Sequence, residues 1–223
     1  LEQAFYQADA SNDVRVVILR GANQDFTAGN DMQDFLHSLQ QQRSPAGDNP
    51  PFLLLKSVAK FSKPLIIGVK GVAIGIGVTI LLHADFVYAD QSALFQIPFV
   101  SLGLSPEGAS SQLLAKQAGH LLASDLLLSA RRFDASTAQQ ARLVTAIVDD
   151  VYSQAEKTAQ QLAQLPLASL KATKKLMKND LADIIKCIDD EADVFMQRVK
   201  QPEMMEAVMA FKEKRKPDFS QFN

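Results

Sequence analysis

Pro64-Leu65-Ile66-Ile67-Gly68-Val69-Lys70-Gly71-Val72-Ala73-Ile74-Gly75-Ile76-Gly77 is the stretch whose reading decides the fold. Its first half is a continuous aliphatic run without the alternation of a strand that shows one face to water, so Pro64 to Gly71 reads as a strand buried on both faces. Glycines at 71, 75 and 77 then open a turn, and Ile74 to Leu82 continues with helical character. A buried strand feeding a helix through a tight turn is the building unit of an α/β fold. The glycines do not follow G-x-G-x-x-G, and the turn lacks the lysine of a phosphate-gripping loop, so no dinucleotide or nucleoside triphosphate is placed there. Taken alone, the turn reads as close helix–sheet packing or as a helix N-terminus that presents the Ile76 N–H.

Outward from this unit, strand and helix signals keep recurring. Upstream, Leu1 to Ala10 reads as a helix, Val14 to Leu19 as a strand, Asp31 to Gln42 as a helix, Ser44 to Pro51 as a loop and Phe52 to Phe61 as a helix. Downstream, Phe86 to Ala89 and Ala93 to Phe95 are short strands around an Asp90-Gln91-Ser92 turn. Helices follow near Ala109 to Ala118 and Leu121 to Ser129, then a helix capped at Ser136 and a strand over Leu143 to Val148. From Tyr152 on, only helices are expected, over 152–164, 167–178, 180–200 and 202–215, punctuated by Pro166 and Pro202. The expected organisation is an α/β core over 1–150 and a helical region over 151–223, which either docks and oligomerises or packs on its own core. Because Leu1 is not an initiator methionine, an upstream segment including a first strand is expected.

With 223 residues, 47% hydrophobic and 22% charged, the chain is globular in class. The 23 basic against 25 acidic side chains leave a net charge of −2, which gives no electrostatic footprint for nucleic acid or an anionic membrane. Lys70 and the glycines interrupt the longest apolar run, so no transmembrane span is expected. A single cysteine, Cys187, excludes an internal disulfide and suits a reducing cytoplasm.

Two more segments carry chemistry. Phe26-Thr27-Ala28-Gly29-Asn30-Asp31-Met32 lies between a strand and a helix, where a glycine turn can aim the Asn30 N–H at a developing oxyanion; its plainer reading is a capped loop. Gly103-Leu104-Ser105-Pro106-Glu107-Gly108-Ala109-Ser110 sets one carboxylate in apolar company. Glu107 is either a proton shuttle with a raised pKa or a first-turn acid in a helix capped by Ser105.

Together the three segments resemble the crotonase superfamily, the enoyl-CoA hydratase/isomerase family, over nearly the whole chain. Lys63-Pro64, His83-Ala84-Asp85, the alanine-rich stretch from Ala138 to Val144 and Phe211-Lys212-Glu213-Lys214-Arg215-Lys216 add to the likeness. The resemblance implies a spiral of ββα units with a helical C-terminal trimerisation region, and a homotrimer or dimer of trimers. It implies a coenzyme A thioester as substrate and two backbone N–H groups, those of Asn30 and Ile76, on the thioester oxygen. No metal and no separate cofactor are implied. Where hydratases carry their two glutamates this chain has Thr79 and Phe99, and neither side chain can activate water. Glu107 instead falls where peroxisomal-type Δ3,Δ2-enoyl-CoA isomerases carry their single glutamate. Ala28, Asp31, Met32, Gly75, Pro98, Phe99 and Leu102 are then expected around the substrate, and Phe211 and Lys214, from the same or a neighbouring subunit, near the coenzyme A end. Dienoyl-CoA isomerisation, thioester hydrolysis and a non-catalytic acyl-CoA-binding or interaction module are the alternatives. His37, His83 and His120 lack ligand spacing and read as surface or packing residues, and the C-terminal methionines as core or trimer contacts.

Overall fold

In the computed structural model, residues 1–30 and 46–222 are described. The helix expected over 31–42, and with it Asp31 and Met32, lies outside them. Strands β1 (Val17–Arg20), β2 (Leu65–Val69), β3 (Val72–Ile74), β4 (Phe86–Ala89), β5 (Leu94–Gln96), β6 (Arg132–Asp134) and β7 (Ala146–Ile147) form two sheets. The first is parallel throughout, in the order β1-β2-β4-β7. In the second, β3 runs parallel to β5, and β6 closes the other side of β5 antiparallel. From β2 to β5 the strands are dealt alternately to the two sheets, β2 to the first and β3 to the second, then β4 and β5 likewise. This is a ββα spiral, in which these turns each add one strand to both sheets.

The residues of β2 explain why its sequence does not alternate. Leu65, Ile67 and Val69 face the main core, whereas Ile66 packs into a second cluster with Tyr88, Val151 and Ala155; all four β2 side chains are fully buried. Gly71 makes the handover to β3 at φ +58°, where a Cβ would stand 2.1 Å from Asp25 Oδ1, an atom already accepting the Val72 N–H at 3.0 Å.

The described helices are α1 (Glu2–Ala10), α2 (Pro50–Lys60), α3 (Ile76–Thr79), α4 (Ser110–Ala118), α5 (His120–Leu128), α6 (Ala135–Gln140), α7 (Val151–Ala163), α8 (Leu167–Met177), α9 (Leu181–Val199) and α10 (Pro202–Lys212). A buried stripe along α9, Ile184, Ile188, Ala192, Phe195 and Val199, follows the helical period and closes over α2. Its Phe195 ring meets Phe52 and Phe99 edge-on, at centroid distances of 5.7 and 6.0 Å.

Four local expectations are corrected. Val72 to Ile74 is a strand before the helix, because pairing with β5 captures two residues that read as turn and Ile74, which read as the helix start. Arg132 to Asp134 is a further unexpected strand, and Asp134, accepting the Thr137 N–H at 2.8 Å, caps α6 in place of Ser136. The last core strand is only Ala146–Ile147. Ser105 caps nothing: α4 begins at Ser110, after Ala109 in the left-handed region.

Candidate active site

One row across the second sheet positions most of the site. Thr27 bridges Ala73 in parallel, and Ala73 pairs with Phe95. Three residues beyond each member of this row stand Asn30, Ile76 and Pro98, so three successive turns of the spiral leave the sheet at one edge in register. Such carboxyl-end edges of parallel strands are where α/β folds leave room for ligands. The turns are held to one another: Ile74 N–H donates to Thr27 C=O and Gly75 N–H to Gln96 C=O, each at 3.0 Å.

Gly75 precedes α3 at φ 58°, ψ −119°, a conformation that side chains resist. It points the Ile76 N–H out of the first turn, ahead of the bonds from Val78 and Thr79 N–H back to Gly75 C=O. Gly29 does the same for the first turn at φ +93°, with its own N–H on Thr27 Oγ1 at 3.2 Å. A cavity of about 130 Å³ opens against this edge, lined by Ala28, Gly29, Asn30, Ile74, Gly75, Ile76, Pro98, Phe99, Leu102, Leu104 and Phe195. The expected set Ala28, Asn30, Gly75, Ile76, Pro98, Phe99 and Leu102 is thus brought together. Leu104 and Phe195 are additions, and Phe195 was legible only as one more member of the apolar stripe of α9.

Glu107 does not line that cavity; it is only 4% exposed and is tied through Thr79 to the turn that begins at Ile76. The Thr79 hydroxyl donates to Glu107 Oε1 at 2.5 Å, and Thr79 is the last residue of the four-residue helix that Ile76 begins. The other carboxyl oxygen, Oε2, is buried with no hydrogen-bond partner among the described residues. Burial disfavours the charged form and outweighs the Thr79 bond, with the carboxylate of Glu191 adding to it, so the Glu107 carboxyl is pushed up to about 8.

The backbone around Glu107 is fixed from two sides. His83, buried and held neutral with its pKa down to about 4 by burial, donates from Nε2 to Gly108 C=O at 2.9 Å. Glu191 on α9 accepts the Ala109 N–H at 2.6 Å and the Ser111 N–H at 2.9 Å. His83 therefore packs, as expected, but on the turn that carries Glu107. Phe211 and Lys214 are exposed and do not line the cavity of their own chain. Asp85, in the His83-Ala84-Asp85 stretch, is structural: its Oδ2 takes the Leu65 N–H at 2.8 Å and pairs with Lys174 at 2.6 Å. Among the described residues no cluster of side chains suits a metal ion, and no helix is long and apolar enough to cross a membrane.

Two sheets wound as a ββα spiral, with backbone N–H groups gathered at one sheet edge, define an α/β protein of the crotonase type. The chain belongs to the enoyl-CoA hydratase/isomerase family, whose model it matches over residues 1–222. It is 30% identical to the 1,2-epoxyphenylacetyl-CoA isomerase of Escherichia coli, over 99% of this chain and 86% of that protein. It is also 30% identical to the enoyl-CoA delta isomerase 2 of Rattus norvegicus, over 91% of this chain but only 53% of that longer protein. A crystal structure from Acinetobacter baumannii, described within the same hydratase/isomerase group, superposes with a TM-score of 0.89 at 65% identity, covering 92% of this chain and 86% of that one.

Proposed function

We propose that the protein is a Δ3,Δ2-enoyl-CoA isomerase that moves the double bond of a 3-enoyl-CoA thioester to the 2-position, a step of fatty-acid β-oxidation. The observation that carries this reading is the buried, half-satisfied carboxyl of Glu107, tied to the oxyanion turn by a threonine where a hydratase would need a second acid. The thioester oxygen sits between the Asn30 and Ile76 N–H groups. Glu107 takes a proton from C2, the electrons of that C–H bond flow toward the thioester oxygen as a dienolate, and the same carboxyl returns the proton to C4 as the double bond settles at C2–C3. No water is consumed and no metal or redox group is required. The apolar walls Phe99, Leu102, Leu104 and Phe195 support the reading by keeping water from the dienolate.

We read the exposed Phe211 and Lys214 as contacts for the coenzyme A end of a substrate bound by an adjacent copy in a trimer. The test is a panel of thioesters. Conversion of 3-enoyl-CoA to 2-enoyl-CoA is expected, with neither 3-hydroxyacyl product nor free thiol. Hydration of 2-enoyl-CoA or release of coenzyme A as the main reaction would overturn the assignment.

The pH dependence follows from the same carboxyl. Only the deprotonated form can remove the C2 proton, so kcat/KM should rise tenfold per pH unit below the Glu107 pKa and level off above about 8. A plateau already reached near pH 5 would mean that Glu107 is an ordinary carboxylate in the free protein.

A further inference from the structure

The α9 stripe carries one residue that does not belong with its neighbours. Glu191 stands at the helical position between Ile188 and Phe195, faces inward, and is 8% exposed. Its partners are all donors: Ala109 N–H, Ser111 N–H, the Ser111 hydroxyl at 2.5 Å and the Cys187 thiol at 3.8 Å. Burial pushes the Glu191 carboxyl above its ordinary range, and these donors, each of which favours the carboxylate, act against that push. It occupies the N-terminus of α4, whose cap residue Ala109 has φ 58° and so sits in a conformation that alanine adopts at a cost. Directly before it comes Gly108 at φ +74°, backed by Leu55 and Thr79. Two residues before Ala109 is Glu107, whose Oε2 has no partner among the described residues.

We propose that Glu191 is a positioning residue for Glu107: its carboxylate clamps the left-handed Gly108-Ala109 turn so that Glu107 cannot swing away, and its negative charge acts on the Glu107 carboxyl two residues before that turn. The proposal rests on the reading of Glu107 as the proton shuttle. It gives the two buried acids opposite tasks, set by their partners, in that one is saturated with donors and stays charged while the other keeps a bare oxygen and carries the proton. Thr79 acts against Glu191, since its hydroxyl favours the Glu107 carboxylate. Among the described residues, the other titratable groups around the pair are His83, Lys178 and Cys187. His83, on the 3-10 turn after Thr79, is pushed down to about 4, and Cys187, on α9, up to about 11. Lys178 donates to His83 C=O at 2.9 Å and is pushed down to about 8 by burial; it is present in every variant below.

The test follows the Glu107 carboxyl directly by carbon-13 NMR of glutamate-labelled protein, with its resonance assigned by its loss in Glu107→Gln. Glu191→Gln keeps one acceptor on the turn and removes the charge. The Glu107 midpoint is expected to fall by about half a pH unit or more, while the plateau kcat for 3-enoyl-CoA falls several-fold as the turn loosens. Thr79→Val should move the same midpoint the other way. A residue that merely braced the fold would change stability and kcat but leave the midpoint in place, so an unmoved or raised midpoint in Glu191→Gln overturns the proposal. In the wild-type protein, where folding is not in question, the glutamate resonance perturbed by Ser111→Ala should be that of a carboxylate from about pH 7 upward; a neutral Glu191 there overturns it as well. The titration does not depend on turnover, so a protein inactive on 3-enoyl-CoA whose midpoint still moves would sink the isomerase reading and leave the coupling standing.

Discussion

Glu107→Gln is expected to lose about a thousandfold or more in kcat on 3-enoyl-CoA while still binding acyl-CoA, since general acid–base groups contribute about 10²–10⁴ and, among the described residues, no acid lines the cavity to replace it. Glutamine matches the shape of glutamic acid and keeps an oxygen for the Thr79 hydroxyl, so the loss reports the missing proton acceptor and not a collapsed site. The same variant carries a signature in stability. The folded-state pKa of Glu107 lies above its ordinary 4.5, at about 8, so the unfolded chain loses this proton first and stability drains away as pH rises between those values. By pH 7 the drain is on the order of 3 kcal/mol. Glutamine does not ionise, so the melting temperature of Glu107→Gln relative to wild type should climb steadily from about pH 5 to about pH 8. Turnover within tenfold of wild type, or a melting difference flat with pH, would return Glu107 to a structural role.

The second large effect belongs to a backbone atom. Ile76 is the first residue of α3, a position where proline fits a helix and where the N–H is not used by the helix itself. Ile76→Pro therefore deletes one oxyanion donor with little damage to the turn, and Gly75 before it tolerates the restriction that proline imposes. The expected cost is about 10²–10³ in kcat, near 3–4 kcal/mol of dienolate stabilisation, with KM changed far less. Ile76→Val, which keeps the N–H and shortens the side chain by one methylene, is the control and should remain within a few-fold of wild type. Equal losses in both variants would show that the side chain, and not the N–H, matters at this position.

What could be read from the residues alone divides along physical lines. Local signals held where burial and periodicity are strong: β2 as a continuous aliphatic run, α2, and the four helices after residue 150. Signals failed where identity comes from a distant partner. Val72-Ala73-Ile74 is a strand because Thr27 and β5 flank it, and nothing within three residues next to a glycine says so. The capping reading of Ser105 failed for the same reason. The N–H groups at the start of α4 are met by Glu191, some 80 positions away, so the nearby Ser105 has no capping to do. Asn30, Ile76 and Glu107 stood out because glycines and a proline mark their turns, whereas Thr79 was noticed only for the carboxylate it lacks. Glu191 left one trace, an acid on the inward side of an amphipathic helix beside Ile188 and Phe195, and that trace is worth following in other sequences.

The register of Thr27, Ala73 and Phe95 also works as a ruler. Adjacent strands lie about 4.8 Å apart, so residues equally far beyond a paired row begin with that separation. Two N–H groups reaching one oxygen at about 2.9 Å along lone-pair directions roughly 110–120° apart need their nitrogens about 5 Å from each other. The pitch of the sheet thus supplies the spacing that a two-donor anion cradle requires, with no adjustment by side chains. The third place in the row is Pro98, which has no N–H to offer, so the proposed cradle has two donors and the next turn joins the apolar wall.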